Sequence, residues 1–145
     1  MDKVVQTMYR YQRDNNSTRE CIANTQYLRD CIVHSGQEAT AKAVFALYKC
    51  GGLTHVNVHM VVDVDGIVVD PSYEVAQYHP IYCYKIHQLP SNFRKEETSG
   101  LSREEVITMF LEFMNYAKDI NDGVSLVTDL NYYNGQADFI NAQLC

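Results

Sequence analysis

The feature that most constrains the fold is a central stretch in which three runs rich in Val, Phe, Tyr, Thr and Ile are separated by turn signals. Such runs favour β-strands, and glycine-containing turns between them favour antiparallel pairing. The last run ends at Pro71, which cannot continue a central strand. We therefore predict a three-stranded β-meander. Its strands are residues 41–48, 54–62 and 67–70, and its turn signals are Gly51-Gly52 and Asp63-Val-Asp-Gly66.

Two capping boxes predict helices on either side of this meander. Ser17-Thr-Arg-Glu20 predicts a helix that begins near Thr18 and ends at Ser35-Gly36. Ser102-Arg-Glu-Glu105 predicts a second helix that ends at Asn121-Asp-Gly123. Each carries an apolar face that we expect to pack on the sheet. The faces are Cys21, Leu28, Cys31 and Ile32 in the first helix, and Val106, Phe110, Phe113, Met114 and Ala117, widened by Ile107 and Leu111, in the second.

Shorter patterns complete the expected architecture. They predict a strand within 78–87, with Tyr82, Tyr84 and Ile86 on one face, an exposed loop over 91–100, a short strand over 124–127, and a last helix. Tyr133, Ala137, Ile140 and Leu144 indicate that last helix. The order of helix, meander and helix is typical of the α+β class, and 145 residues suit a single domain spanning 1–145.

Composition narrows the classes of function. Twelve basic against eighteen acidic residues give a net charge of −6, which disfavours binding of nucleic acid or an anionic membrane through the overall field. The longest apolar run, Ala43–Tyr48, is far short of the roughly 20 residues that a spanning helix needs. The start has no apolar h-region, so secretion is not indicated. Five scattered cysteines without a C-x-x-C pair indicate thiols in a reducing, cytoplasmic environment.

Three residues together suggest thiol chemistry, which requires a thiolate, a base and a group that orients the base. Cys21 falls in the first turn of the predicted helix, where amide dipoles favour an anion. A four-residue loop at 63–66 would place His59 opposite Asp70, with Cβ atoms about 4.5–5.5 Å apart. A two-residue loop at Asp65-Gly66 would instead place His59 opposite Ser72 and leave Asp70 diagonal to it. Taken alone, each residue also has a structural interpretation, as core thiol, strand histidine or turn aspartate.

Two alternatives involve the neighbouring His55. It lies fifteen residues before Asp70, but the predicted pairing places it beyond the end of the third strand, so we favour His59. A metal site built on His55 and His59 is disfavoured, because positions i and i+4 of a strand lie about 13 Å apart.

Asp63-Val-Asp65-Gly66 lacks the later Glu of a calcium loop and is predicted to be a turn. We predict no metal and no cofactor.

The combination resembles the papain-like/transglutaminase-like cysteine enzyme superfamily. Cys21-Ile-Ala-Asn24-Thr25 at a helix start, followed by a hairpin that carries His59 and ends in Val69-Asp70-Pro71-Ser72-Tyr73, looks like small uncharacterised phage, bacterial and large-virus members of it. The resemblance covers residues 17–73. It implies that Cys21 is the nucleophile, His59 the general base and then acid, and Asp70 the orienting carboxylate. Asn24 would lie near the thiol, and Gln12 is the nearest amide candidate for an oxyanion donor besides the Cys21 backbone amide.

The resulting hypothesis is a thiol-dependent acyl-transfer enzyme, such as a peptidase, amidase or transglutaminase, acting on a protein or peptide through an acyl-enzyme intermediate. The rival is a catalytically inactive binding or inhibitory protein with the same fold, which could be viral and act on a host factor. A third alternative is an obligate subunit of a larger assembly. Sequence leaves the substrate, the acyl acceptor and the oligomeric state open.

Overall fold

The structure is a computed structural model that describes residues 1–83, 102–120, 125–126 and 131–132. Within these ranges two helices are followed by three consecutive strands and then by shorter strands and two more helices. In chain order the elements are α1 (Asp2–Asp14), α2 (Cys21–His34), β1 (Thr40–Cys50), β2 (Leu53–Val64), β3 (Ile67–Val69), α3 (Tyr73–Ala76), β4 (Ile81–Cys83), α4 (Arg103–Ile120), β5 (Ser125–Leu126) and β6 (Asn131–Tyr132).

The strands form one sheet in the order β4-β1-β2-β3-β6, with β5 beside β1. The long pairings are antiparallel, whereas the two-residue strands β5 and β6 pair in parallel. Two helices precede three consecutive antiparallel strands, and further helices and short strands follow, so the predicted α+β class is confirmed. The predicted meander is confirmed as β1, β2 and β3. The predicted strand within 78–87 is present as β4, which pairs with β1 and not with β3.

The turn between β2 and β3 differs from the four-residue loop that we favoured. Val62 pairs with Val69 and Val64 with Ile67, which leaves only Asp65 and Gly66 in the turn. Both have positive φ, 53° and 81°, the backbone of a type I′ turn that an Asp-Gly pair adopts readily. Our favoured register, with His59 directly opposite Asp70, is therefore wrong, and the two-residue alternative is correct.

The N-terminal part contains one helix that we did not predict and another that begins later than expected. Helix α1 buries Val5, Met8 and Tyr9 on one face against the core, and this spacing was visible in the sequence. Helix α2 begins at Cys21, three residues after the predicted start near Thr18. The Ser17 hydroxyl donates to the Glu20 carboxylate at 2.6 Å, so these two side chains bond to each other and do not cap the helix backbone.

Helix α4 follows its prediction closely at its N-terminus. The Ser102 amide donates to Glu105 Oε2 at 2.7 Å and the Glu105 amide to Ser102 Oγ at 3.2 Å, which is the predicted capping box. Phe110 is fully buried and stacks on Phe45 of β1, with ring centroids 4.1 Å apart. Leu111 is 44 % exposed and does not widen the apolar face as predicted, because it points away from the sheet.

Several predictions fall outside the described residues or their side chains. Among them are the predicted loop over 91–100, the C-terminal helix, the side chains of Met114 and Ala117, and the remainder of the predicted strand beyond Cys83. Among the helices that the structure describes, none combines the length and the apolar character needed to cross a bilayer.

Candidate active site

Cys21 is the first residue of α2 and lies at the end of a tight loop. Arg19, in this loop, has a positive φ of 61°, and its amide donates to the Glu74 carboxylate of α3 at 3.2 Å. Glu20 occupies the N-cap position, and no side chain hydrogen-bonds there. The amides of a first helical turn have no acceptor within the helix. An oxyanion near the Cys21 thiol could therefore accept a hydrogen bond from the Cys21 backbone N–H.

His59 and Asp70 form a buried pair behind this thiol. His59 Nε2 lies 2.9 Å from Asp70 Oδ2, and the two residues are 3 % and 0 % exposed. They are diagonal neighbours across β2 and the segment after β3, and the short turn still brings them into contact. Since the carboxylate holds Nε2, the other ring nitrogen, Nδ1, is the one left for Cys21.

Three further hydrogen bonds fix Asp70. The Tyr82 hydroxyl of β4 donates to Oδ2 at 2.6 Å, and the Ser72 amide donates to Oδ1 at 2.8 Å. The Tyr9 hydroxyl of α1 donates to the Asp70 backbone carbonyl. Both carboxylate oxygens of Asp70 therefore accept hydrogen bonds. Helix α1 and strand β4, which lie far apart in the sequence, both contact this residue. A carboxylate held in this way orients the imidazole of His59.

The protonation of His59 reflects these neighbours. Burial alone would lower the pKa of His59, but the charge and hydrogen bond of Asp70 outweigh burial, and the hydrogen bond and charge of Cys21 add to them. Together they raise this pKa from 6.5 to about 10. At neutral pH the ring is therefore an imidazolium that lies between the Asp70 carboxylate and the Cys21 side chain.

Gln12 lies beside this group but is already engaged with the backbone. Its Nε2 donates to the Pro71 carbonyl at 2.7 Å, and its Oε1 accepts from the Tyr73 amide at 3.0 Å. The side chain is 4 % exposed and clamps α1 to the segment after Asp70. Gln12, predicted as an oxyanion donor, therefore positions the Asp-Pro segment, and one N–H of its amide remains for a bound group.

A groove of about 530 Å³ opens onto the thiol. Cys21, Asn24 and His59 line it together with Gln12 and Ser72. Helix α4 contributes the apolar residues Val106, Met109 and Phe113 to the lining. The predicted substrate-contact residue Asn24, one turn after Cys21 and partly buried, thus lies on the same groove as the thiol.

His55, the alternative histidine, lies away from Asp70. Its Nε2 is 3.2 Å from the Cys50 carbonyl, and its ring stacks on Tyr48 at a centroid distance of 5.5 Å. Tyr48 in turn stacks on Tyr78 at 5.1 Å. Burial raises the pKa of Tyr48, opposed by a hydrogen bond from Asn57 and reinforced by the nearby charges of Glu74 and Cys50, so the phenol stays neutral.

The other described cysteines have different surroundings. Burial raises the pKa of the Cys83 thiol, which keeps it protonated. Cys31 interacts with the Tyr27 hydroxyl and Cys50 with the Tyr78 hydroxyl, and these bonds raise the pKa of both tyrosines. Cys145 lies outside the described residues. Of the four described cysteines, Cys21 is the one hydrogen-bonded to an imidazole.

Sequence reasoning missed two residues of the site. Tyr82 was predicted only as a strand residue, and its contact with Asp70 depends on β4 crossing to the far side of β1. Ser72 was considered only as a register partner, yet it lines the groove, and its buried hydroxyl has no partner among the described residues. The Asp-Pro-Ser motif was the signal for Ser72, whereas no local signal marks Tyr82.

Neither metal ligation nor a known relative accounts for this arrangement. Within the described parts of the chain, no three His, Cys, Asp or Glu side chains group closely enough to hold a metal ion. No known protein family, curated protein or solved structure matches this chain.

Proposed function

We propose that the protein is a thiol-dependent acyl-transfer enzyme in which Cys21, His59 and Asp70 act as a triad, and that it is a distant member of the papain-like/transglutaminase-like superfamily. One observation carries the proposal: a thiol at a helix N-terminus is hydrogen-bonded to an imidazole whose other nitrogen is bonded to a buried carboxylate. The groove along these residues gives a substrate access to the sulfur.

The chemistry follows from the roles of the three groups. The Cys21 sulfur, its proton held on His59, attacks a substrate carbonyl carbon and forms a C–S bond, while the carbonyl oxygen takes up negative charge beside the Cys21 backbone N–H. The C–N or C–O bond then breaks, and His59 gives its proton to the leaving group. Water or an amine then attacks the acyl carbon and loses a proton to His59; the C–S bond breaks, its electron pair returns to the Cys21 sulfur, and the acyl product is released.

The groove favours a peptide or protein substrate. It combines apolar residues of α4 with polar groups near the thiol, namely the Asn24 amide and the Ser72 hydroxyl, which has no hydrogen-bond partner in the part of the chain that the structure describes. A buried hydroxyl without a partner costs free energy unless a bound group supplies the hydrogen bond. A substrate amide supplies both a donor and an acceptor. The acidic net charge of −6 points in the same direction, away from nucleic acid.

Alkylation by iodoacetamide at pH 7 tests the proposal on the full chain. We expect Cys21 to react at least about tenfold faster than Cys31 and Cys50, because its side chain is hydrogen-bonded to the His59 ring, which can take up the thiol proton. The substitution His59→Gln, which keeps a hydrogen-bonding group beside Asp70, should abolish this difference. His55→Ala should leave it unchanged. A urea unfolding curve checks that each variant folds.

Two results would contradict the proposal. Equal alkylation of Cys21, Cys31 and Cys50 in the unsubstituted protein would favour the inactive binding protein, and this comparison needs no variant. Loss of the Cys21 preference in His55→Ala but not in His59→Gln would show that His55, and not His59, activates the thiol.

A further inference from the structure

A second groove of about 580 Å³ lies between α1 and α2. Val4 and Met8 of α1 contribute apolar surface to it, and Tyr11 and Tyr27 contribute aromatic rings. These two tyrosines are 64 % and 58 % exposed, among the most exposed large apolar side chains of the described chain. Aromatic side chains that remain exposed beside a concave apolar surface are typical of binding sites.

This second groove adjoins the proposed active site. Gln12 and Asn24 line both grooves, one residue from each of the two helices that form the second. From Gln12 the second groove follows α1 towards Lys3, a rise of about 13 Å along the helix. An extended polypeptide advances about 3.3 Å per residue, so this length accommodates about four residues.

Hydrogen bonds within the chain hold two residues of the groove walls. The Tyr27 hydroxyl is hydrogen-bonded to Cys31 one turn later on α2, which holds the ring at the groove edge. Gln12, which lines both grooves, is fixed by its two backbone hydrogen bonds. Where the two grooves meet, the side-chain amides of Gln12 and Asn24 can hydrogen-bond to a peptide backbone. The rings of Tyr11 and Tyr27 beyond them can pack against an apolar side chain.

We propose that the groove between α1 and α2 is a substrate subsite that binds the apolar or aromatic side chain of a polypeptide whose reactive carbonyl lies at Cys21. This proposal rests on the proposed acyl-transfer function. It specifies the substrate as an extended polypeptide with an apolar residue within about four positions of the reacting group, because the groove begins at the residues that flank the thiol.

Matched chloroacetyl peptides test the subsite on the full chain. Chloroacetyl-Gly-Gly-Phe-amide and chloroacetyl-Gly-Gly-Gly-amide carry the same electrophile, and alkylation displaces chloride by the Cys21 sulfur. We expect the Phe peptide to alkylate Cys21 about tenfold faster at low probe concentration, as partial burial of one aromatic ring predicts. The double substitution Tyr11→Ala, Tyr27→Ala should reduce the ratio to near one and leave the iodoacetamide rate at Cys21 unchanged.

The control variant is Ile81→Ala, which removes a side chain that is 71 % exposed and lines neither groove. It should keep the preference for the Phe peptide. Equal rates for the two peptides in the unsubstituted protein, or a preference that survives in the double variant, would overturn the subsite while leaving the proposed function standing. Failure of iodoacetamide to distinguish Cys21 from Cys31 and Cys50 would overturn both.

Discussion

Replacing Asp70 by Asn tests how the site is coupled to the stability of the fold. The change keeps the shape of a fully buried side chain but removes the negative charge that lies 2.9 Å from His59 Nε2. Breaking a buried ion pair by removing one partner costs about 3–5 kcal/mol. The rise in the pKa of His59 from 6.5 to about 10 gives an independent figure. At about 1.36 kcal/mol per unit, it corresponds to roughly 5 kcal/mol.

The same linkage fixes the pH dependence. Between pH 6.5 and 10 the folded protein holds a proton on His59 that the unfolded chain has released. The stabilisation is therefore complete below pH 6.5 and is lost as the pH rises towards 10, at about 1.4 kcal/mol per pH unit. In Asp70→Asn, burial lowers the pKa of His59 and only the smaller effects of the Cys21 hydrogen bond and charge oppose it, so most of this contribution disappears. The free-energy gap between the two proteins should close across this interval.

Urea unfolding at pH 6, 8 and 10 measures the gap, and Asp65→Asn is the matched control. Asp65 is an exposed residue of the β2–β3 turn with a positive φ that Asn also tolerates, so this variant should follow the unsubstituted protein at every pH. A gap below about 1 kcal/mol at pH 6, or one that does not narrow by pH 10, would refute the buried ion pair. If Asp70→Asn does not fold, the unsubstituted protein alone gives the answer, because its unfolding free energy should fall by several kcal/mol between pH 6 and pH 10 and Asp65→Asn should show the same fall.

Three further substitutions probe the contacts around the site. Tyr82→Phe should lower the unfolding free energy by about 1.5–3 kcal/mol in urea, because it removes a hydrogen bond to a charged group, and an unchanged value would exclude that bond. Gln12→Ala should cost about 1–3 kcal/mol by leaving buried backbone groups unpaired, and a loss under about 0.5 kcal/mol would contradict the clamp. Phe110→Ala should cost about 3–5 kcal/mol and its exposed neighbour Leu111→Ala under about 1 kcal/mol, so equal losses would contradict the packing of α4.

Local patterns were sufficient to predict the meander and the N-terminus of α4. Runs of β-branched residues identified β1 and β2, and the capping box at Ser102 identified the start of α4, because both signals act between near neighbours in sequence. Cys21, His59 and Asp70 were identified by the same route, since the hairpin brings the last two together in either of the registers considered.

The errors arose where local signals compete. Asp63 and Asp65 both suit turns, and the longer loop was preferred, although Asp65-Gly66 has the type I′ preference that decided the register. Ser17 and Glu20 have the spacing of a capping box but bond to each other, which moved the start of α2 to Cys21. Because α2 begins at Cys21, the thiol lies closer to the first backbone amides of the helix than the predicted start near Thr18 would place it.

Tertiary contacts explain what sequence could not predict. Tyr82 reaches Asp70 only because β4 pairs with β1, a connection that the order of strands does not determine. The groove between α1 and α2 depends on α1, a helix that we did not predict although Val5, Met8 and Tyr9 have helical spacing. Predicting such features requires the packing of whole elements rather than the periodicity of one.

The formation of an acyl-enzyme on Cys21 tests the central claim most directly. The protein is mixed with p-nitrophenyl acetate at neutral pH, quenched in acid within seconds, and analysed by intact-mass and peptide mass spectrometry. We predict one acetyl group on Cys21 that decays with time in the unsubstituted protein and is absent in His59→Gln. No acetylation, or acetylation spread evenly over Cys21, Cys31 and Cys50, would contradict the assignment of this thiol as a nucleophile.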